Sequence, residues 1–169
     1  MLSLEEGGWK IFEAYTRALM ANKAAVYHGR LCVAKKIKIE NNPEFSISFD
    51  KTLGGCKEIR LVLDIVKAAK KNPNVIFHSV DRSYELIDFI YQDGTGQFHA
   101  FQVTLQKDHT ADPEKIKNLE QSIGDPNKLS IYYLVPDEQF MTFVTKPVNP
   151  REGGVSCDLY HVLIPAPKK

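Results

Sequence analysis

The chain has few cysteines and no long apolar run, and these two absences exclude several classes of protein. Its three cysteines, in 169 residues, are widely spaced and form no C-x-x-C pair, which disfavours a zinc ribbon or thioredoxin-like chemistry and favours a reducing compartment. No stretch approaches the roughly 18 apolar residues of a membrane-spanning helix, and the acidic N-terminus is unlike a secretory signal. We therefore expect an intracellular protein with no membrane partner.

An excess of charge of either sign is also absent. The chain has 22 Lys and Arg residues and 21 Asp and Glu residues, for a net charge of +1. Its net charge therefore does not favour nucleic acid or a membrane as a partner. The chain has no phosphate-binding loop, dinucleotide fingerprint, G-x-S-x-G elbow or Cys-His nucleophile pattern. A hydrophobic fraction of 43% argues against disorder and predicts one compact globular domain.

Apolar periodicity predicts alternating helices and strands. Helical spacing covers residues 4–26, 56–71 and a segment capped by Asp112 that ends near Gly124. Strand patterns cover residues 30–39, 45–49, 74–77, 84–91, 97–106, 129–135 and 159–164. The Gly-rich turn at 93–96 predicts an antiparallel hairpin, whereas strand-helix-strand steps predict parallel pairing. The expected fold is α/β, a mixed β-sheet flanked by helices.

Polar residues within the predicted central hairpin are its unusual feature. Asp88 stands between Ile87 and Phe89 in an apolar segment, where an ionised carboxylate is costly to bury without a partner. Gln102 and Thr104 lie two residues apart on the next predicted strand, so we expect both on one face of the sheet. Two interpretations stay open: a polar functional site, or a solvated sheet face with Asp88 accepting backbone hydrogen bonds.

The order of these features resembles the core of the PD-(D/E)xK nucleases. Further strings are similar to the C-terminal domain shared by Crinkler effectors and trypanosomatid retrotransposon hot spot proteins. They are FQVT at 101–104 with His109 after it, YYLVP at 132–136 with Phe140 and Phe143, residues 145–150, and HVLIP at 161–165. The resemblance implies a restriction-endonuclease-like αβββαβ core over 55–169, with an N-terminal helix and two extra strands in 1–54.

The same resemblance implies Mg²⁺-dependent nuclease chemistry. Asp88 is then the metal carboxylate, Gln102 stands at the second metal-binding acid, and Thr104 stands at the lysine. Glu58, on the helix before the hairpin, would add a carboxylate, and His109, in a loop, would contact phosphate, bind metal or carry a proton; a solvated charge and simple exposure are the alternatives. Gln102 brings no charge and Thr104 cannot be a cation. The implied site is therefore degenerate, with weakly bound Mg²⁺ and weak or no cleavage, and the alternative is a non-catalytic protein interaction module.

A basic segment provides the local argument for nucleic acid. Residues 14–39 contain no Asp or Glu and have two tyrosines, Tyr15 and Tyr27, as candidate stacking groups. The positive side chains of this segment are Arg17, Lys23, Arg30, Lys35, Lys36 and Lys38. Such a run predicts phosphate contacts to DNA or RNA, with a solvated face as the alternative. The resemblance adds a nuclear or perinuclear setting and an upstream NTPase module or another protein partner.

Overall fold

Three helices and ten strands make up the described part of the chain in the computed structural model. The described residues are 8–20, 26–33, 44–48, 56–59, 62–79, 86–105, 108–110, 112–136, 140, 144–146 and 157–165. The helices are α1 (Gly8–Met20), α2 (Val62–Lys71) and α3 (Pro113–Ile123), with a short 3₁₀ helix at Pro126–Lys128. The strands are β1 (Val26–Val33), β2 (Glu44–Ser48), β3 (Cys56–Ile59), β4 (Ile76–Ser79), β5 (Phe89–Gln92), β6 (Phe98–Val103), β7 (Asp108–Thr110), β8 (Leu129–Pro136), β9 (Val144–Lys146) and β10 (Asp158–Ile164).

Eight of these strands form one mixed sheet in the order β2-β1-β10-β8-β6-β5-β4-β3. β8 pairs in parallel with both β6 and β10, and β3 pairs in parallel with β4. β5 and β6 form the predicted antiparallel hairpin, and β7 and β9 form a separate parallel pair. The prediction of a mixed α/β sheet with helices is confirmed.

The burial of β8 explains its central place in the sheet. Every residue from Leu129 to Val135 is buried, and only Pro136 at its end is partly exposed. A strand covered on both faces needs apolar side chains at successive positions instead of alternating ones. The solid apolar run at 129–135 therefore marks the middle of the sheet.

Two apolar clusters lie on opposite faces of the sheet. On one face, Ile65 of α2 and Ile116 of α3 pack against sheet residues that include Ala100 and Tyr133; we call it the α2/α3 face. On the other, Phe12 of α1 packs with residues that include Tyr132; we call it the α1 face. The adjacent residues Tyr132 and Tyr133 point to opposite faces because side chains alternate along a strand.

The predicted helix over 56–71 is wrong in its first part. Cys56–Ile59 forms β3, in parallel register with Ile76–Ser79, and α2 begins only at Val62. Apolar spacing in a short segment does not separate helix from strand, and pairing with β4 decides in favour of the strand. Three described strands, rather than two, therefore precede α2.

Several other boundaries also differ from prediction. The first helix is described over Gly8–Met20, inside the predicted 4–26; residues 4–7 and 21–25 lie outside the described residues, and Val26 belongs to β1. β1 starts at Val26 instead of residue 30, β5 starts at Phe89, and β6 ends at Val103. No described helix has the length and apolar character needed to cross a membrane.

The ends of α3 and the hairpin turn form as predicted. Asp112 Oδ1 accepts the N–H groups of Glu114 and Lys115 at 3.0 and 3.3 Å, which satisfies donors that the first helical turn leaves open. Gly124 ends the helix with φ at 87°, a left-handed conformation that favours glycine. The turn at 93–96 closes through a Gly96 N–H donated to the Asp93 carbonyl at 3.0 Å.

We expect Asp112→Ala to lower the free energy of unfolding by about 1 kcal/mol, because the first turn of α3 loses its side-chain cap. Asp112→Asn is the matched control, since the asparagine side chain also caps helices well. Urea unfolding followed by circular dichroism measures both. Equal losses in the two variants would contradict a capping role for the Asp112 oxygen.

Candidate functional site

Asp88 lies one residue before β5, not within a strand as predicted, and its hydrogen bonds tie this position to β6. Its N–H donates to the Phe101 carbonyl at 2.7 Å. Its Oδ2 accepts the N–H of Val103 at 2.6 Å. The regular ladder between β5 and β6 starts only at the Phe89 and Phe101 pair, so the carboxylate supplies the acceptor that a longer β5 would have supplied. The partly buried Asp88 carboxylate is thus a side-chain extension of the ladder.

Gln102 belongs to a row of polar groups that crosses three adjacent strands. It pairs in register with Tyr133 of β8, which pairs in register with His161 of β10. Tyr133 belongs to the cluster on the α2/α3 face, and in-register parallel neighbours share a face. The rings of Tyr133 and His161 meet edge to face with centroids 6.3 Å apart. We call Gln102, Tyr133 and His161 the polar row.

The polar row lies near the carboxyl end of β6, one residue before Val103. The crevice at the carboxyl ends of the strands is where open α/β sheets usually bind ligands. Tyr133 and His161 are 0% and 3% exposed, whereas Gln102 is partly exposed. Gln102 is therefore the member of the row nearest to solvent, and the Asp88 carboxylate is bonded to the residue that follows it.

Thr104 lies just beyond β6 and continues its pairing with β8. Its N–H donates to the Leu134 carbonyl at 3.1 Å, and the residue is 8% exposed. A lysine at this position would have to bring its charged end to solvent from a buried backbone position, at a cost in desolvation. The buried setting is consistent with the small side chain found there.

Glu58 and His109 lie in elements other than those predicted. Glu58 is in β3, not in a helix, and is in register with His78 of β4, which pairs with Phe89. The backbone of Glu58 is thus separated from β5 by a whole strand. His109 is in β7, not in a loop, and pairs with Thr145 of β9. Neither backbone position pairs with Asp88 or Gln102.

Asp88 and Gln102 carry the oxygen donors for which the resemblance implies a metal. One carboxylate and one amide carbonyl are oxygen ligands of the kind Mg²⁺ takes, and the remaining ligands would be water and phosphate. Within the described ranges, no three His, Cys, Asp or Glu side chains are grouped so that they could hold a metal ion. The formal charge offered by this pair is that of Asp88 alone.

The structure covers only part of the predicted basic segment. Arg17 lies in α1 and Arg30 in β1, where its backbone pairs with His161 of β10. Lys23, Lys35, Lys36 and Lys38 lie outside the described residues. Tyr15, one of the two candidate stacking groups, donates its hydroxyl to the Pro165 carbonyl at 3.0 Å.

A second polar cluster, on the α1 face, was missed by the sequence analysis. His99 of β6 hydrogen-bonds through Nε2 to Asp93 Oδ2 at 2.8 Å and through Nδ1 to the Tyr132 hydroxyl at 2.9 Å. Because the Asp93 carboxylate only accepts, His99 Nε2–H donates to it, and neutral Nδ1 accepts the Tyr132 O–H. We call Asp93, His99 and Tyr132 the relay. The available signal was weak: a histidine three residues after the turn, within the predicted strand at 97–106.

The pKa values of the relay follow from burial and hydrogen bonding. Burial lowers the pKa of His99 and outweighs the opposing effect of the Asp93 carboxylate. Burial would raise the pKa of Asp93, but hydrogen bonds from His99, Thr95 and Gln97 together hold it below its usual range. Burial also raises the pKa of the Tyr132 phenol. At neutral pH the relay therefore consists of carboxylate, neutral imidazole and neutral phenol.

Comparisons of the chain with protein-family models, curated proteins and solved structures gave no match.

We expect Asp88→Ala to lower the free energy of unfolding by about 1–3 kcal/mol, because the partly buried Val103 N–H loses this acceptor. Asp88→Asn keeps an oxygen that can accept from Val103 and serves as the control, with less than half that loss. Chemical denaturation of the three proteins gives the values. An Asp88→Ala variant as stable as the wild type would show that the carboxylate is not there to extend the ladder.

Proposed function

We propose that the chain is a nucleic-acid-binding domain with a nuclease-like fold and a degenerate PD-(D/E)xK site. The observation that carries the proposal is the 2.6 Å hydrogen bond between Asp88 Oδ2 and the Val103 N–H, which fixes the Asp88 carboxylate at the backbone of the residue that follows Gln102. The chain order α2, β4, β5, β6, α3, β8, with the short β7 inserted, supports the proposal because it follows the αβββαβ series. The mixed sheet with its helices is a general α/β fold, and the nuclease-like core is part of the proposal.

In this proposal Asp88 and Gln102 would hold Mg²⁺, which when bound activates a water and neutralises the leaving oxygen of a phosphodiester. Asp88 would contribute the negative charge. Gln102 would contribute a neutral carbonyl, which can orient the ion but attracts it only weakly. Thr104 provides no cation for the charge that develops on phosphate. Losing one such preorganised group typically costs on the order of 100- to 1000-fold in rate, so cleavage by this site is slow or undetectable.

Glu58 and His109 have supporting parts in the proposal. The backbone of Glu58 lies in β3 and that of His109 in β7, so neither pairs with the Asp88 and Gln102 positions. The proposal gives Glu58 the role of a second carboxylate and His109 that of a phosphate contact.

The nucleic-acid surface in this proposal is the basic segment at 14–39. Lys and Arg contacts to phosphate supply most non-specific affinity, and the segment has six such residues without an acidic one. The resemblance that implies the nuclease-like site also leads us to propose a nuclear or perinuclear location and an upstream NTPase module or other protein partner.

A specific observation favours the second candidate, a non-catalytic interaction module that keeps the fold. The bond from Val103 to Asp88 accounts for a carboxylate in an apolar segment without any metal. With Gln102 and Thr104 in the places of an acid and a lysine, this hydrogen bond supports a structural role for Asp88 that involves no catalysis. The two candidates differ in one measurable property, metal-dependent cleavage.

A nuclease assay with Mg²⁺ or Mn²⁺ separates the candidates. We expect slow or undetectable cleavage by the wild type, faster cleavage by the double variant Gln102→Glu with Thr104→Lys, and none by Asp88→Ala. Thermal unfolding of each protein is measured alongside the assay to show that the variants are folded. This control is needed because position 104 is only 8% exposed, so a lysine there lowers stability. A folded double variant that does not cleave would favour the interaction module, and cleavage that survives Asp88→Ala would place the activity elsewhere.

Salt dependence tests nucleic-acid binding independently of cleavage. We expect the affinity for duplex or single-stranded nucleic acid to fall steeply with salt, and Lys35→Glu with Lys36→Glu to lower the slope of log K against log salt. The same charge change at Lys117 and Lys128, both exposed lysines outside the basic segment, is the control. Binding that is absent at low salt, or independent of salt, would overturn the nucleic-acid proposal.

A further inference from the structure

The relay on the α1 face has no part in the proposed nuclease-like site. His99 is separated from Gln102 by three positions along β6, toward the hairpin turn, and belongs to the opposite face of the sheet. Asp93 Oδ1 is already occupied by the Thr95 N–H, the Thr95 hydroxyl and the Gln97 N–H, at 2.9, 2.6 and 3.0 Å. These bonds leave Oδ2 for His99 and hold the carboxylate in one orientation.

The ring of Tyr132 lies within a continuous aromatic stack. His99, Phe101 and Tyr160 each stack on Tyr132, with centroids 5.7, 5.0 and 5.0 Å away. Tyr132 is 6% exposed, whereas Tyr160 is partly exposed. The stack therefore connects the buried Tyr132 ring to the partly exposed Tyr160 ring.

We propose that Tyr132 is a redox-active tyrosine that gives up one electron to a radical oxidant of the peroxyl class while its proton passes to His99 Nδ1. The electron converts the peroxyl radical to a hydroperoxide anion, the O–H bond of Tyr132 breaks, and an N–H bond forms on His99. The products are a neutral tyrosyl radical and an imidazolium whose other N–H faces the Asp93 carboxylate. Charge and atoms balance without any group supplied by the protein beyond the relay.

The geometry meets what this step requires. A buried phenol oxidised without losing its proton would become a strongly acidic cation in a medium that solvates it poorly, so the proton needs an acceptor within hydrogen-bond reach. Nδ1 of His99 is that acceptor, at 2.9 Å from the phenol oxygen. The Asp93 carboxylate stabilises the imidazolium that forms, as an aspartate does for a histidine that takes a proton from a serine.

Groups facing the relay from neighbouring elements modify its protonation. They are Ser130 of β8, whose side chain hydrogen-bonds to Tyr132, Tyr91 of β5, which stacks on His99 at 4.8 Å, Tyr160 of β10, and Asp158 of β10, whose charge acts on Tyr132. The acceptor works only while His99 is neutral. Because the pKa of His99 is lowered from 6.5, oxidation coupled to this proton transfer persists below pH 6.5 and is lost only as more acid protonates the ring.

The test is laser-flash or pulse oxidation of the intact chain by a peroxyl radical, followed by electron paramagnetic resonance and mass spectrometry to locate the radical. We expect it on Tyr132 in the wild type and displaced in Tyr132→Phe, which keeps the stacked ring. Tyr27→Phe removes another buried phenol of the same cluster and is the control, with the wild-type pattern. A radical that forms equally in Tyr132→Phe would overturn the proposal.

The proton acceptor is tested by His99→Gln and Asp93→Asn. We expect His99→Gln to slow formation of the Tyr132 radical by at least about tenfold and to abolish its loss in acid, because the titrating acceptor is gone. Asp93→Asn keeps the imidazole and should slow the reaction less, which keeps the test informative if His99→Gln does not fold. An unchanged rate and pH profile in both variants would refute a coupled proton transfer, whatever the nuclease assay shows.

Discussion

The parallel register of β8 with β6 and β10 is the constraint on which the rest of the structure depends. β8 is buried on both faces from Leu129 to Val135, so packing fixes its face alternation, and a one-residue slip would exchange the side chains of the two packed faces. That alternation sends Tyr132 to the α1 face and Tyr133 to the α2/α3 face. Each tyrosine then enters a different polar cluster, one with His99 and one with Gln102 and His161.

The β5–β6 hairpin carries an aspartate at each end, and the two carboxylates have different surroundings. Asp93 is saturated by the turn and by His99, and its pKa is held low. Asp88 accepts from the Val103 backbone beside a partly exposed glutamine. This difference explains why Asp88, rather than Asp93, is the candidate for contact with a metal or phosphate, while Asp93 positions a histidine.

How far prediction from the sequence succeeded depended on whether each feature was local. The Asp112 cap, the turn at 93–96 and the apolar β8 are encoded within a few residues, and all are confirmed. The apolar spacing of Cys56–Ile59 predicts a helix, but its partner strand, β4, which lies beyond α2 in the chain, makes it a strand. The sequence around His109 predicts a loop for the same reason, because its partner strand, β9, follows much later.

The sequence by itself determined an α/β chain with a mixed sheet, a hairpin with polar residues, and Asp88 as a carboxylate that needed a partner. Only the tertiary structure decided which partner it has, because the Val103 N–H becomes available only where β5 stops short of β6. It also decided that Glu120 is buried and accepts the Cys157 N–H at 2.9 Å, and that Asp93, His99 and Tyr132 meet. These contacts join residues from separate strands and helices, and no periodicity within one segment can specify them, because they arise from the register between segments.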